Sequence, residues 1–123
     1  MPIKLYEYKN CTTCKKALKF LEAQNISFIK LPIVENPPSV LELKKMLQLI
    51  KNDGGSFQKL FNTSGILYRE MSIAKKIKNG MTEKEAIELL SQNGKLIKRP
   101  FLLTPNGGAV GFKLEIWTQL LLA

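Results

Sequence analysis

The chain has 123 residues and is 45% hydrophobic, enough for a single domain (1–123) that buries its own core without disulfide staples. Its 19 Lys and Arg against 10 Asp and Glu give a net charge of +9, which suits anionic substrates or acidic protein surfaces. Two cysteines and no histidine exclude a closed zinc site built from Cys and His alone, and they exclude Cys-His and Ser-His catalysis.

The first segment, "IKLYEY" (Ile3 to Tyr8), alternates large apolar and polar residues like a half-buried strand and ends at the polar Lys9-Asn10 turn. From Cys11 onward, Cys14, Ala17, Leu18 and Leu21 recur at the spacing of a helical apolar stripe, which stops near "AQN". "ISFIKL" (Ile26 to Leu31) reads as a second strand, so the opening is a β-α-β unit with parallel strands.

Pro37-Pro38 then breaks the chain, and Ser39 with Glu42 has the spacing of a capping box for a helix from Val40 to Ile50. "KNDGGS" ends that helix. Short helical signals follow in "FQKLF" (57–61) and "SIAKKI" (72–77), separated by the "NTSG" turn. Thr82 with Glu85 repeats the capping box for a helix to Gln92, and this middle third has no strand signal. "RPFLLT" (Arg99 to Thr104) and "AVGF" (Ala109 to Phe112) read as strands joined by the "PNGG" turn. Leu114, Trp117, Leu120 and Leu121 mark a last helix. The expected order is β-α-β, a helical block over about residues 38–95, then β-β-α.

No apolar run approaches the roughly 20 residues of a membrane span, and the N-terminus lacks a secretory profile, so a cytoplasmic location without membrane contact is expected. In that reducing compartment Cys11 and Cys14 read as a redox pair or metal ligands rather than a permanent disulfide. A thiol at the first turn of a helix meets unpaired N–H groups and the positive end of the helix dipole, which favour thiolate. Cys11 sits at that turn. Cys14 lies one turn on along the same face, within reach to close a disulfide after Cys11 has attacked, and it also lies on the apolar stripe, where a cysteine can simply pack. Lys15 adds positive charge beside them. The proline of "LIKRPFLL", Pro100, gives no ladder hydrogen bond and marks a strand start, an edge or a cis peptide. Arg99 beside it carries a planar fork suited to an oxyanion or a thiolate. The lysine pairs are spread along the chain without interleaved aromatics, so direct nucleic-acid binding is not expected.

"YKNCTTCKKALKFLE", "LFNTSGILYRE", "LIKRPFLL" and "VGFKLEIW", taken in that order, resemble the arsenate reductase-related (ArsC/Spx) family. The resemblance implies a thioredoxin-like fold whose two halves flank a helical insertion. It makes Cys11 the nucleophile and Arg99 the basic residue before a cis-proline, Pro100. Cys14 is then an internal resolving cysteine, and Asn10, Thr12 and Thr13 shape the site. Glutathione- and glutaredoxin-linked arsenate reductases of this group use three arginines, and the other two positions fall here at Asn62 and Phe112, with Arg69 as a candidate replacement. The implied activity is a thiol-dependent reductase acting on a disulfide or small oxyanion. It binds no cofactor and is recharged by glutathione, glutaredoxin or thioredoxin. The alternative within the family is an Spx-type redox-sensing regulator that binds the RNA polymerase α subunit.

Overall fold

Strand β1 (Lys4–Glu7) sits inside a four-stranded sheet and feeds a different core on each face. The computed structural model describes residues 2–122. Its elements continue with α1 (Thr12–Ala23), β2 (Ile29–Pro32), α2 (Val40–Asn52), α3 (Ile66–Glu70), α4 (Ile73–Lys78), α5 (Glu83–Gln92), β3 (Phe101–Thr104), β4 (Gly107–Val110) and α6 (Leu114–Leu122). The strand order is β2-β1-β3-β4, with β1 parallel to β2, antiparallel to β3, and β3 antiparallel to β4. Leu5 and its cross-strand partner Leu102 point to α1 and α6, where Ala17, Leu21 and Trp117 bury them. Tyr6, Phe101 and Leu103 point the other way, onto Leu43, Met46, Leu47 and Ile50 of α2 and Ile87 and Leu90 of α5. The helices from α2 to α5 therefore cover one face of the sheet, and α1 with α6 cover the other. No helix among the described residues is long and apolar enough to cross a membrane.

Helix ends follow the punctuation in the sequence. Asn25 adopts a positive φ after α1, and the bonds Ile26 N–H to Leu21 O and Asn25 N–H to Glu22 O close a Schellman motif. Gly54 and Gly80 do the same after α2 and α4. This C-cap delays the second strand, which starts at Ile29 rather than at Ile26; Ile26 and Phe28 pack instead beneath α1. β3 starts at Phe101 rather than Arg99, after a cis Arg99-Pro100 bond. The hairpin also differs from expectation, because "PNGG" is not all turn. Gly107 and Gly108 belong to β4, opposite Thr104 and Leu103, which leaves a two-residue turn at Pro105-Asn106 and ends the strand at Val110. A side chain at Gly108 would put its Cβ 2.6 Å from the Leu102 carbonyl and 3.1 Å from Met46 Cε, so the strand can pair this closely with β3 only without one. The five residues of α3, too few to show a helical period, carried no separate expectation.

Both capping boxes form, at Ser39 with Glu42 and at Thr82 with Glu85. Glu42 does more than cap. Its Oε1 accepts from Ser39 N–H at 3.0 Å and from the Tyr6 hydroxyl at 2.7 Å, and its Oε2 accepts from Lys4 Nζ at 3.1 Å. The N-terminus of α2 is thereby fastened to β1. Burial alone would raise the Glu42 carboxyl, but the donors Tyr6, Ser39 and Lys4 outweigh it and hold the group below its ordinary 4.5. The Tyr6 phenol is pushed up by burial and by its bond to this carboxylate. A depressed carboxyl contributes stability above its unfolded value and loses that contribution as pH falls through the folded one. Glu42→Ala should therefore destabilise the fold by about 1–3 kcal/mol in urea melts at pH 7. Glu42→Gln, which still accepts from Tyr6 and completes the cap, should lose less, and its gap from the native chain should close as pH drops below 4.5.

Candidate active site

β1 ends at Glu7, and the chain turns through Tyr8–Asn10, where Cys11 N–H donates to the Tyr8 carbonyl at 3.1 Å. Cys11 has extended backbone (φ −100°, ψ 116°) and is the N-cap of α1, one position before the helical turn expected for it. A thiol thus stands where Ser, Thr or Asp commonly caps a helix. Its Sγ accepts the Cys14 N–H at 3.3 Å, so an otherwise orphan helix donor is aimed at the sulfur. Such a donor binds an anionic acceptor more strongly than a neutral one.

The two cysteines occupy different environments. Cys11 is half-buried and Cys14 is fully buried, on the same stripe as Ala17 and Leu21. Both are free thiols, and the hydrogen bond that joins the two residues runs from the Cys14 backbone N–H to the Cys11 sulfur. Burial, and then the neighbouring Cys11 side chain, push the Cys14 thiol up to about 12, while the Tyr8 backbone and the charge of Arg99 pull the other way. The Arg99 guanidinium lies 4.4 Å over the Tyr8 ring, a cation–π contact that holds it beside the cysteine turn. Pro100, buried and cis, follows directly, and its carbonyl accepts Gly111 N–H at 2.8 Å.

The structure therefore brings Cys11, Cys14, Arg99 and Pro100 to one end of the sheet. Asn10, Thr12, Thr13 and Lys15 lie on the same turn with exposed side chains; Lys15 touches the site through its backbone N–H, which donates to the Cys11 carbonyl at 3.1 Å. Tyr8 is the residue that sequence reasoning missed, since its role depends on Arg99 arriving from far along the chain. Asn62 and Phe112 bring no charge. Asn62 closes the turn before α3, accepting Gly65 N–H at 3.1 Å, and the Phe112 ring packs 4.9 Å from Trp117 and 5.8 Å from Phe20. Arg69 stands exposed in the last turn of α3.

A sheet of order β2-β1-β3-β4 with cysteines at the start of α1 and a cis proline opening β3 defines a thioredoxin-like protein. The sequence model of the ArsC family matches residues 6–120, and the chain belongs to that family. It is 42% identical over 113 residues, 92% of each chain, to the uncharacterized protein YusI of Bacillus subtilis. It is 27% identical to the global transcriptional regulator Spx 2 of Lactococcus lactis, over 92% of this chain and 81% of that one. Among solved structures, a protein of Bacteroides fragilis described as ArsC family related superposes with a TM-score of 0.88 at 42% identity, covering 98% of both chains. A possible arsenate reductase from Streptococcus mutans superposes at 0.78 and 31% identity, covering 90% and 91%.

The contrast between the thiols has a direct readout. Iodoacetamide at neutral pH should label Cys11 and leave Cys14 unmodified in the folded protein, and the same treatment in urea should label both. Mass-spectrometric mapping that finds Cys14 labelled at a comparable rate in the native state would contradict its burial and its raised titration.

Proposed function

We propose that the protein is a thiol–disulfide oxidoreductase in which Cys11 is the nucleophile and Cys14 the resolving cysteine. The observation that supports this most directly is the arrangement of the two cysteines: a half-buried Cys11 capping α1 and accepting the Cys14 N–H at 3.3 Å, with the Cys14 thiol fully buried one turn on. Cys11 thiolate attacks a substrate disulfide, forming a mixed disulfide and releasing the first substrate sulfur as a thiolate, which takes a proton from water. Cys14 then gives up its proton and its sulfur attacks Cys11 Sγ. The second substrate thiol leaves, and a Cys11–Cys14 disulfide holds the oxidising equivalent of the two electrons passed on. Glutathione, glutaredoxin or thioredoxin returns those electrons, and no bound cofactor takes part.

The order of the steps is favoured by electrostatics. While Cys11 is free, the proximity and charge of its side chain help keep Cys14 protonated. Once Cys11 is tied up in a mixed disulfide, that contribution is removed, and the Arg99 charge and the Tyr8 backbone bond then act against burial alone. The resolving thiol is thus released for ionisation by the step that creates its target. The substrate class in this reading is a disulfide or other oxidised sulfur rather than arsenate. Only Arg99 of the three arginine positions supplies a guanidinium, and charge-assisted forks are what hold a tetrahedral oxyanion.

A second reading rests on the identity to Spx 2 over 92% of this chain. Here the same Cys11–Cys14 pair is a switch that alters affinity for a partner, with the RNA polymerase α subunit the partner implied by the resemblance. One pair of experiments separates the two. Under the reductase reading, Cys11→Ser abolishes NADPH-coupled turnover of a model disulfide in glutathione, glutaredoxin or thioredoxin systems. Cys14→Ser keeps the first step and accumulates a mixed disulfide, seen as added mass on Cys11. If the native chain shows no turnover with any of the three systems, yet retains the α subunit in only one redox state, the regulator reading replaces it.

A further inference from the structure

Among the described residues, β4 is an edge strand whose only sheet partner is β3. Narrow hydrogen-bonded pairs alternate along an antiparallel ladder. The bond from Gly111 N–H to the Pro100 carbonyl at 2.8 Å fixes that phase, so Gly107 and Ala109 bond inward to β3. The N–H and C=O groups of Gly108 and Val110 consequently face away from the sheet, and among the described residues no hydrogen bond takes them up. The other edge, β2, is blunted by Pro32, which has no N–H to offer.

Beside the β4 edge runs an open groove of about 720 Å³. Leu49 of α2, Phe61 and the 42%-exposed Ile116 of α6 give it apolar walls. Lys59, Lys98 and Lys113 stand along it, against the single carboxylate of Asp53. A free row of alternating donors and acceptors, next to apolar pockets and under a net positive rim, has the chemistry of a strand-addition site.

We propose that the β4 edge and this groove bind an extended polypeptide segment with acidic side chains, which adds to the sheet as a fifth strand. The backbone of the segment takes the N–H and C=O groups of Gly108 and Val110, its apolar residues enter the groove, and its carboxylates meet the three lysines. A second copy of this chain does not fit, because pairing β4 with β4 would set Lys59, Lys98 and Lys113 near their own counterparts on a chain of charge +9. A nucleic acid would satisfy the charge but does not offer the alternating N–H and C=O that the strand edge requires. The site is independent of the thiol chemistry, since none of its groups is a cysteine.

The test begins with a phage-displayed random octapeptide library panned on the full chain with both cysteines reduced, followed by NMR titration with a selected peptide. Selected sequences should alternate apolar and acidic residues, and the bound peptide should protect the Gly108 and Val110 amides from exchange. Val110→Pro removes an outward N–H without touching the β3 ladder and should abolish binding, whereas Val110→Ala should keep it. Lys98→Glu and Lys113→Glu should each weaken binding about tenfold, with the native affinity falling as salt rises. The proposal is overturned if no peptide is enriched, if the selected peptides carry no acidic residues, or if protection maps away from β4. It is equally overturned if Val110→Pro binds as the native chain does, or if a single-stranded DNA oligonucleotide protects the same amides as well as the peptide.

Discussion

The antiparallel register of β1 against β3 is the constraint on which the candidate site depends. Lys4, Leu5 and Tyr6 lie opposite Leu103, Leu102 and Phe101. Continuing that register past the last pair sets Glu7 across from Pro100 and Tyr8 across from Arg99. The end of one strand and the start of the other, far apart in the chain, are thus brought to one place. The stacking of the Arg99 guanidinium at 4.4 Å over the Tyr8 ring is the side-chain expression of that pairing. The same strand fixes the helix on its other side, since Tyr6 and Lys4 both end on Glu42 at the start of α2. A change that slipped β1 by one residue would exchange Leu5 for Tyr6 on each core face and break the Arg99 contact together.

Cys14 shows that a packing role and the resolving role proposed for it need not compete. Its place on the stripe with Ala17 and Leu21, all fully buried, secures α1 against the sheet. That burial is also the largest influence raising its titration, and a thiol so held does not react with solvent oxidants or stray disulfides. Cys11 is spared by being the cap rather than a member of the helix: its backbone is extended, so its sulfur stands at the mouth of the turn while accepting the Cys14 N–H. Moving the cysteine one residue into α1 would bring it onto the helical surface and remove the donor that faces it.

Much of this was legible in the sequence because it is local. The β-α-β opening, both capping boxes and the helix stops at Asn25, Gly54 and Gly80 depend on spacing and backbone preference within a few residues. What escaped depends on contacts across the chain. Gly107 and Gly108 look like turn residues in "PNGG", and only the approach of Leu120 from α6 to the first, and of the Leu102 carbonyl and Met46 to the second, explains why a strand should contain them. Glu42 is readable as a cap but not as the acceptor for Tyr6 and Lys4, which are separated from it by 36 and 38 residues. The two cysteines and the Arg99-Pro100 step were recognisable by type and motif, whereas Tyr8 is an ordinary strand-end aromatic until the fold sets Arg99 on it.

The surroundings of Phe112 bear on which substrates such a site would favour. Its ring sits among Phe20 and Trp117, with Phe20 also 6.2 Å from Trp117, and the Trp117 indole donates to the Gly111 carbonyl at 3.1 Å. These contacts join α1, α6 and the end of β4. Replacing that ring with a guanidinium would have to break up an aromatic cluster around a fully buried tryptophan, not merely add a charge at a vacant surface. On the other side, Asn62 closes the turn that leads into α3 through its backbone, and its side chain brings no charge. With an aromatic ring packed at the one position and an uncharged amide at the other, Arg99 is the one guanidinium of the three. A tetrahedral oxyanion needs several forks to offset the loss of its hydration. A disulfide carries no charge and needs only an approach to a reactive sulfur, which is the demand that a half-buried Cys11 backed by a buried partner thiol can meet.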